Sequence, residues 1–179
     1  MTDIVISSGH GLKVRGAAEY LDEVNEARRV VDDVAEKLKK IGVAVEVFHD
    51  NVSTTQDENL DRIVDFHNSH TRLLDISIHF NAYQPTPEPM GCEVLYATQD
   101  TLADDLCDAI SHAATFLDRG AKHRTDLYFL NNTEEAAVLI EVCFVDSMMD
   151  AELYLRNFNA ICDSIARTVA IFIGEEVNE

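Results

Sequence analysis

The sequence predicts a single α/β domain of three layers, a largely parallel sheet with helices on both faces. Short apolar runs alternate with stretches of helical periodicity, which is the pattern of β-α units. Residues 136–145 are almost continuously apolar, as a strand buried on both faces requires. A length of 179 residues with 46% apolar content suits one hydrophobic core.

Taken in order, Ile4-Val5-Ile6 is a buried strand that feeds the loop Ser7-Ser8-Gly9-His10-Gly11. Helical spacing then runs over about residues 22–41, with Val24, Ala27, Val30, Val31, Val34, Leu38 and Ile41 in one stripe and Gly42 as the stop. Residues 43–48 form a second strand, and Ser53-Thr54-Thr55 caps a helix whose inner face carries Leu60, Ile63 and Val64. Residues 73–80 form a third strand, followed by a long loop marked by Pro85, Pro87 and Pro89. Residues 92–96 form a fourth strand. Thr101-Leu102-Ala103-Asp104 resembles a capping box for a helix through Leu117, residues 120–126 read as a polar loop, and a last helix runs from about 158 to 173. One domain over 1–174 and a polar tail over 175–179 are expected.

A net charge of −19 argues against nucleic acid as a partner, because phosphate binding needs clusters of Lys and Arg. No run reaches the ~18 apolar residues that span a bilayer, so membrane insertion is not expected. The chain begins without a basic, then apolar, leader. It is therefore expected to be made in the cytoplasm without a signal peptide. Cys92, Cys107, Cys143 and Cys162 form no CxxC pair and read as small buried apolar residues.

Four polar residues stand out against this frame. Glu141 is the single charge among residues 136–145, and a carboxyl there must be paired, metal-linked, protonated or set at a cleft. Alternation over residues 74–80 puts Asp75, Ser77 and His79 on one face and Leu74, Ile76, Ile78 and Phe80 on the other. His10 sits between two glycines that allow close backbone approach. Glu23 lies about 40° from the centre of the helix stripe and Glu26 about 100° from it, so Glu23 faces inward near the helix start and Glu26 the flank. Two histidines and a carboxylate suit one Zn²⁺ with an open fourth position. His49, His67, His70, His112 and His123 read as surface or packing residues.

Several segments then carry a resemblance in their order and spacing. They are Ser8-Gly9-His10-Gly11, the helix from Glu23 to Gly42, Ser77-Ile78-His79-Phe80-Asn81-Ala82 and Gly91-Cys92-Glu93-Val94-Leu95-Tyr96. With them go Arg119-Gly120-Ala121-Lys122, Asp126-Leu127-Tyr128-Phe129-Leu130 and Val138-Leu139-Ile140-Glu141-Val142-Cys143-Phe144. Together they resemble the zinc-dependent N-acetylmuramoyl-L-alanine amidases, in particular phage endolysin catalytic domains. The resemblance implies a twisted mixed sheet of about six strands, His10, Glu23 and His79 as zinc ligands, and Glu141 as the catalytic carboxylate. It implies hydrolysis of the amide between N-acetylmuramic acid and L-alanine, hence peptidoglycan as substrate and the bacterial cell wall as the place of action after release by another route. Asn81, Lys122 and Arg124 are candidate substrate contacts. A zinc peptidase acting within the stem peptide, a non-catalytic wall-binding module and a two-carboxylate glycosidase are the competing readings.

Overall fold

A computed structural model describes residues 2–175 and 177. Of the tail expected over 175–179, Glu176, Asn178 and Glu179 lie outside the described residues. The elements are β1 (Ile4–Ser8), α1 (Glu23–Ile41), β2 (Val45–Phe48), α2 (Gln56–Asn68), β3 (Leu74–Asn81), β4 (Cys92–Tyr96), α3 (Asp100–Ala114), β5 (Asp118–His123), α4 (Tyr128–Asn132), β6 (Ala136–Phe144) and α5 (Met148–Phe172). The strands form one six-stranded sheet in the order β2-β1-β3-β6-β4-β5. All neighbours run parallel except β4 and β6, which are antiparallel. This is the mixed three-layer α/β domain the sequence implies.

The two faces of the sheet are covered unequally. Ile4, Ile6, Leu74, Ile76, Ile78, Val138 and Ile140 pack into one large core with α1, α3 and α5. The opposite face holds a smaller cluster in which Ile63 and Val64 of α2 and Phe129 and Leu130 of α4 meet Leu95, Ala137 and Leu139. The apolar stripe read for α1 is buried from Val24 to Leu38, with Ile41 partly buried, and Glu23 is buried with it. Gly42 closes that helix at φ 107°, a left-handed conformation that glycine adopts without a Cβ clash. Thr55 caps α2 by accepting from Glu58 N, while the Glu58 carboxylate accepts from Thr54 N, a reciprocal pair.

Four elements differ from the sequence reading. Residues 118–123, read in part as loop, form the edge strand β5; with one sheet neighbour and a mostly exposed Asp-Arg-Gly-Ala-Lys-His sequence it has no apolar alternation to betray it. α3 starts at Asp100 with no side-chain cap, because Asp100 Oδ1 itself accepts from Thr101 N, and it stops at Ala114, where Thr115 turns to φ 59°. α5 starts ten residues earlier than expected, since Ser147 caps it by accepting from Asp150 N. α4, a helix of five residues, is too short for periodicity to reveal. All four cysteines are buried and free. No described helix is long and apolar enough to cross a membrane.

Candidate metal centre

His10, Glu23 and His79 come from three separate segments and meet where β1 and β3 end. Their donor atoms all lie within 4.8 Å of one another. Glu23 Oε1 stands 3.4 Å from His10 Nε2 and 3.2 Å from His79 Nδ1. The same oxygen accepts from Phe80 N at 3.1 Å, and Oε2 accepts from Ala17 N at 2.9 Å. The carboxylate is thus locked by two backbone donors before any ligand arrives. Glu26, the other acid of that first turn, turns away to accept from Tyr154 Oη and Arg29.

Two glycines make this gathering possible. A Cβ on Gly9 would lie 1.8 Å from His79 Nε2, and one on Gly16 would lie 1.9 Å from Glu23 Oε2. The reading of the Gly9-His10-Gly11 turn as a close backbone approach therefore holds for Gly9, and Gly16 is a site residue the sequence did not announce. Gly9→Ala is expected to push the His79 ring aside and weaken zinc affinity by about 10–100-fold, measured by competition with a chromophoric chelator. Unchanged affinity would mean that the ring moves freely.

The electrostatics suit a cation. Burial opposes ionisation of Glu23, but the His79 hydrogen bond and the two imidazoles outweigh it, and its pKa falls. Burial also opposes the charged form of His79, yet its hydrogen bond to Glu23 and the charges of Glu141 and Glu23 raise its pKa. Burial, helped by His79, lowers the pKa of His10, which keeps it a neutral donor. The buried Nδ1 of His10 makes no hydrogen bond among the described residues. Two imidazoles and one carboxylate, held by their neighbours and close enough to share an ion, fit Zn²⁺.

Glu141 lies beside this group. It pairs in register with His79 across β3 and β6, so the two side chains share a face. Its Oε2 is buried without a partner among the described residues. Burial pushes its carboxyl up to about 7, with Glu23 and Glu93 adding to the rise and His79 opposing it. That value sits where a carboxyl can both take and give a proton near neutrality.

The remaining candidates are held by protein groups. Asn81 Nδ2 donates to Glu93 Oε1 at 2.8 Å, and Arg119 Nε donates to Glu93 Oε2 at 2.9 Å. Glu93 in turn is the antiparallel register partner of Glu141. Lys122 is exposed and donates to the Arg119 carbonyl. Arg124 forms a two-pronged pair with Asp126 at 2.7 Å and lies close enough for the charges of Glu93 and Glu141 to act on it. Glu93 and Arg119 were missed as site neighbours. Glu93 carried the same signal as Glu141, a lone charge inside an apolar strand.

A second constellation has the connectivity of a hydrolase triad. His67 Nδ1 is 2.7 Å from Asp75 Oδ1, and His67 Nε2 is 2.9 Å from Ser7 Oγ. All three residues are fully buried or nearly so, and Arg72 also donates to both oxygens of Asp75. With no opening to substrate, this is an internal clamp that ties α2 to β1 and β3.

A three-layer α/β domain that gathers two imidazoles and a carboxylate at strand ends, with a further carboxyl beside them, has the architecture of a metal-dependent hydrolase. Comparison with known proteins narrows that class. The chain belongs to the N-acetylmuramoyl-L-alanine amidase family, whose sequence profile matches residues 4–171. It is 31% identical to an uncharacterised 38.4 kDa protein of Clostridium perfringens over 98% of this chain and 52% of that one. A second protein of that species is 29% identical over 97% of this chain, and the chain spans about half the length of both relatives. Among solved structures, it is similar to the catalytic domain of the CD27L endolysin targeting Clostridia difficile. That likeness has a TM-score of 0.86 and 27% identity over 99% of this chain and 100% of that one. The amidase AmiC2 of Nostoc punctiforme shares the fold with a TM-score of 0.83 and 23% identity, over 96% of this chain and 97% of that one.

Proposed function

We propose that the protein hydrolyses the amide between N-acetylmuramic acid and L-alanine in peptidoglycan, with one zinc ion held by His10, Glu23 and His79. The observation that carries this reading is the buried Oε2 of Glu141, unpartnered among the described residues, beside the His–Glu–His group. When bound, zinc supplies Lewis acidity toward the amide carbonyl and toward water. Glu141 takes the proton of the attacking water at its free oxygen. It then delivers that proton to the nitrogen of the departing alanine, as a group with a pKa near 7 is fitted to do. Glu23 holds the His79 imidazole by a hydrogen bond, and its own two backbone donors keep it from turning away.

Arg124 and Lys122 share the β5 side of the site, and we assign them to carboxylates of the peptide arm. Asn81 acts through Glu93, which it holds in place, rather than through substrate. Action on the cell wall follows from this substrate. The amidase family membership and the endolysin catalytic domain at 27% identity support the same bond as the target.

Digestion of purified peptidoglycan tests the proposal. New alanine amino termini without new reducing ends are expected, with one zinc per chain by elemental analysis. Chelation should abolish cleavage and added zinc restore it. Cuts inside the stem peptide would replace the amidase reading with a peptidase, and new reducing ends with a glycosidase.

A further inference from the structure

The site has two unlike flanks, and their chemistry says which arm of the substrate each one takes. On the α2 side, next to His10 and His79, the surface drops into a cavity of about 370 Å³ walled by Leu60, Ile63, Leu127 and Leu139. Its size falls in the range of ~300–1,000 Å³ typical of small-molecule sites. Tyr128 stands at its edge, 40% exposed, with its hydroxyl donating to Asp61 at 2.6 Å. Asp61, Asp57 and Asp65 act on that hydroxyl, and Asp126 at the cavity rim is paired with Arg124. On the other flank, beyond Glu141, β5 carries Lys122 and Arg119, the latter paired with Glu93, while Arg124 stands between the flanks, paired with Asp126.

We infer that the cavity walled by α2 and the turn into α4 is the subsite for the uncharged acyl arm of the scissile amide, the N-acetylated sugar with its lactyl methyl. The inference rests on the function proposed above. Forming the amide consumes the carboxyl of that arm, which leaves hydroxyls, an acetamide and methyl groups without charge. Apolar walls and an aromatic edge suit the CH face of a sugar and its methyl groups. The peptide arm keeps at least its terminal carboxylate. The acids beside Tyr128 repel such a group, and Lys122 on the β5 flank attracts it. The bond to be cut then lies between the flanks, over Glu141 and the candidate metal ligands.

Leu60 is only half-buried, so Leu60→Trp can fill the cavity from its rim without disturbing the core. The test crosses this variant with two substrates, an N-acetylmuramoyl-L-alanyl peptide and the lactyl-L-alanyl peptide that lacks the sugar. Zinc content and thermal midpoint are checked first. On the full substrate, Leu60→Trp is expected to lower kcat/KM by about tenfold or more, mainly through KM; on the sugarless one, wild type and variant should agree within about twofold. An equal loss on both substrates overturns the inference. So does a loss that vanishes only when the peptide is shortened, since the peptide arm would then occupy the cavity. If wild type cuts neither substrate, the proposed function itself fails and the subsite is read by binding alone. The methyl amide of N-acetylmuramic acid should then shift the NMR methyl signals of Ile63 and Leu139 in wild type and not in Leu60→Trp, and no shift in wild type overturns the inference.

Discussion

Glu141→Gln is expected to lose at least about 10²-fold in turnover on peptidoglycan fragments while still binding one zinc per chain. The amide keeps the size of the carboxyl but cannot carry a proton between water and the leaving nitrogen. Full activity with zinc retained would remove Glu141 from its role. The same substitution should act on stability in the opposite direction. In the zinc-free fold the carboxyl titrates near 7 instead of its usual 4.5, so ionising it works against folding. That penalty is absent below about pH 4.5, grows as pH rises, and is complete above about 7. At pH 8 with chelator present, Glu141→Gln should therefore be more stable than wild type, by on the order of 2–3 kcal/mol, and at pH 4 the two should coincide. Denaturant titrations at both pH values measure this, and coincident midpoints at pH 8 would contradict it.

Asp75→Ala is expected to destabilise the fold by about 3–5 kcal/mol, read as a lowered denaturant midpoint at pH 7. Asp75 is fully buried and accepts from His67 and twice from Arg72, whose side chain is 2% exposed. Removing it strands a buried guanidinium and leaves His67 Nδ1 without its partner, so that the ring is held by Ser7 alone on its other side. Burial opposes the ionised form of Asp75, but the His67 hydrogen bond, Arg72 and their charges outweigh it and hold its pKa below normal. For a carboxylate shifted down, the stabilisation is present above the unfolded value of about 3.9 and is lost as pH falls through the folded one. The gap between wild type and Asp75→Ala should thus narrow in strong acid. A variant with an unchanged midpoint at pH 7 would show that the clamp contributes nothing net.

The candidate site was legible where a polar residue broke an apolar pattern. Glu141 interrupts a buried strand, Glu23 interrupts a helix stripe, and both violations mark groups that the fold places against other polar atoms. His79 followed from simple alternation along β3. What stayed hidden needed the third dimension. Gly16 matters because a Cβ there would strike Glu23, and nothing in its neighbourhood in the chain says so. His67 looked like one histidine among seven until Ser7 and Asp75 closed on it. β5 lacked a signal because an edge strand is held by hydrogen bonds to β4 more than by burial of its own side chains. The direction of β4 was equally silent, since strand polarity is set by the length of a connection and not by the strand.

That reversed strand shapes the surface beside the site. A parallel neighbour of β6 would have needed a helical crossover, but β3 reaches the antiparallel β4 through the residues 82–91 alone. Among the described residues, the helices on this side of the sheet are α2 and α4, which reach β1, β6 and Leu95 of β4. Beyond that cover, Glu93 is partly exposed and Lys122 of the edge strand β5 is exposed. For the polymer proposed as substrate, this exposed edge of the sheet is an approach from the side, with no free end to thread.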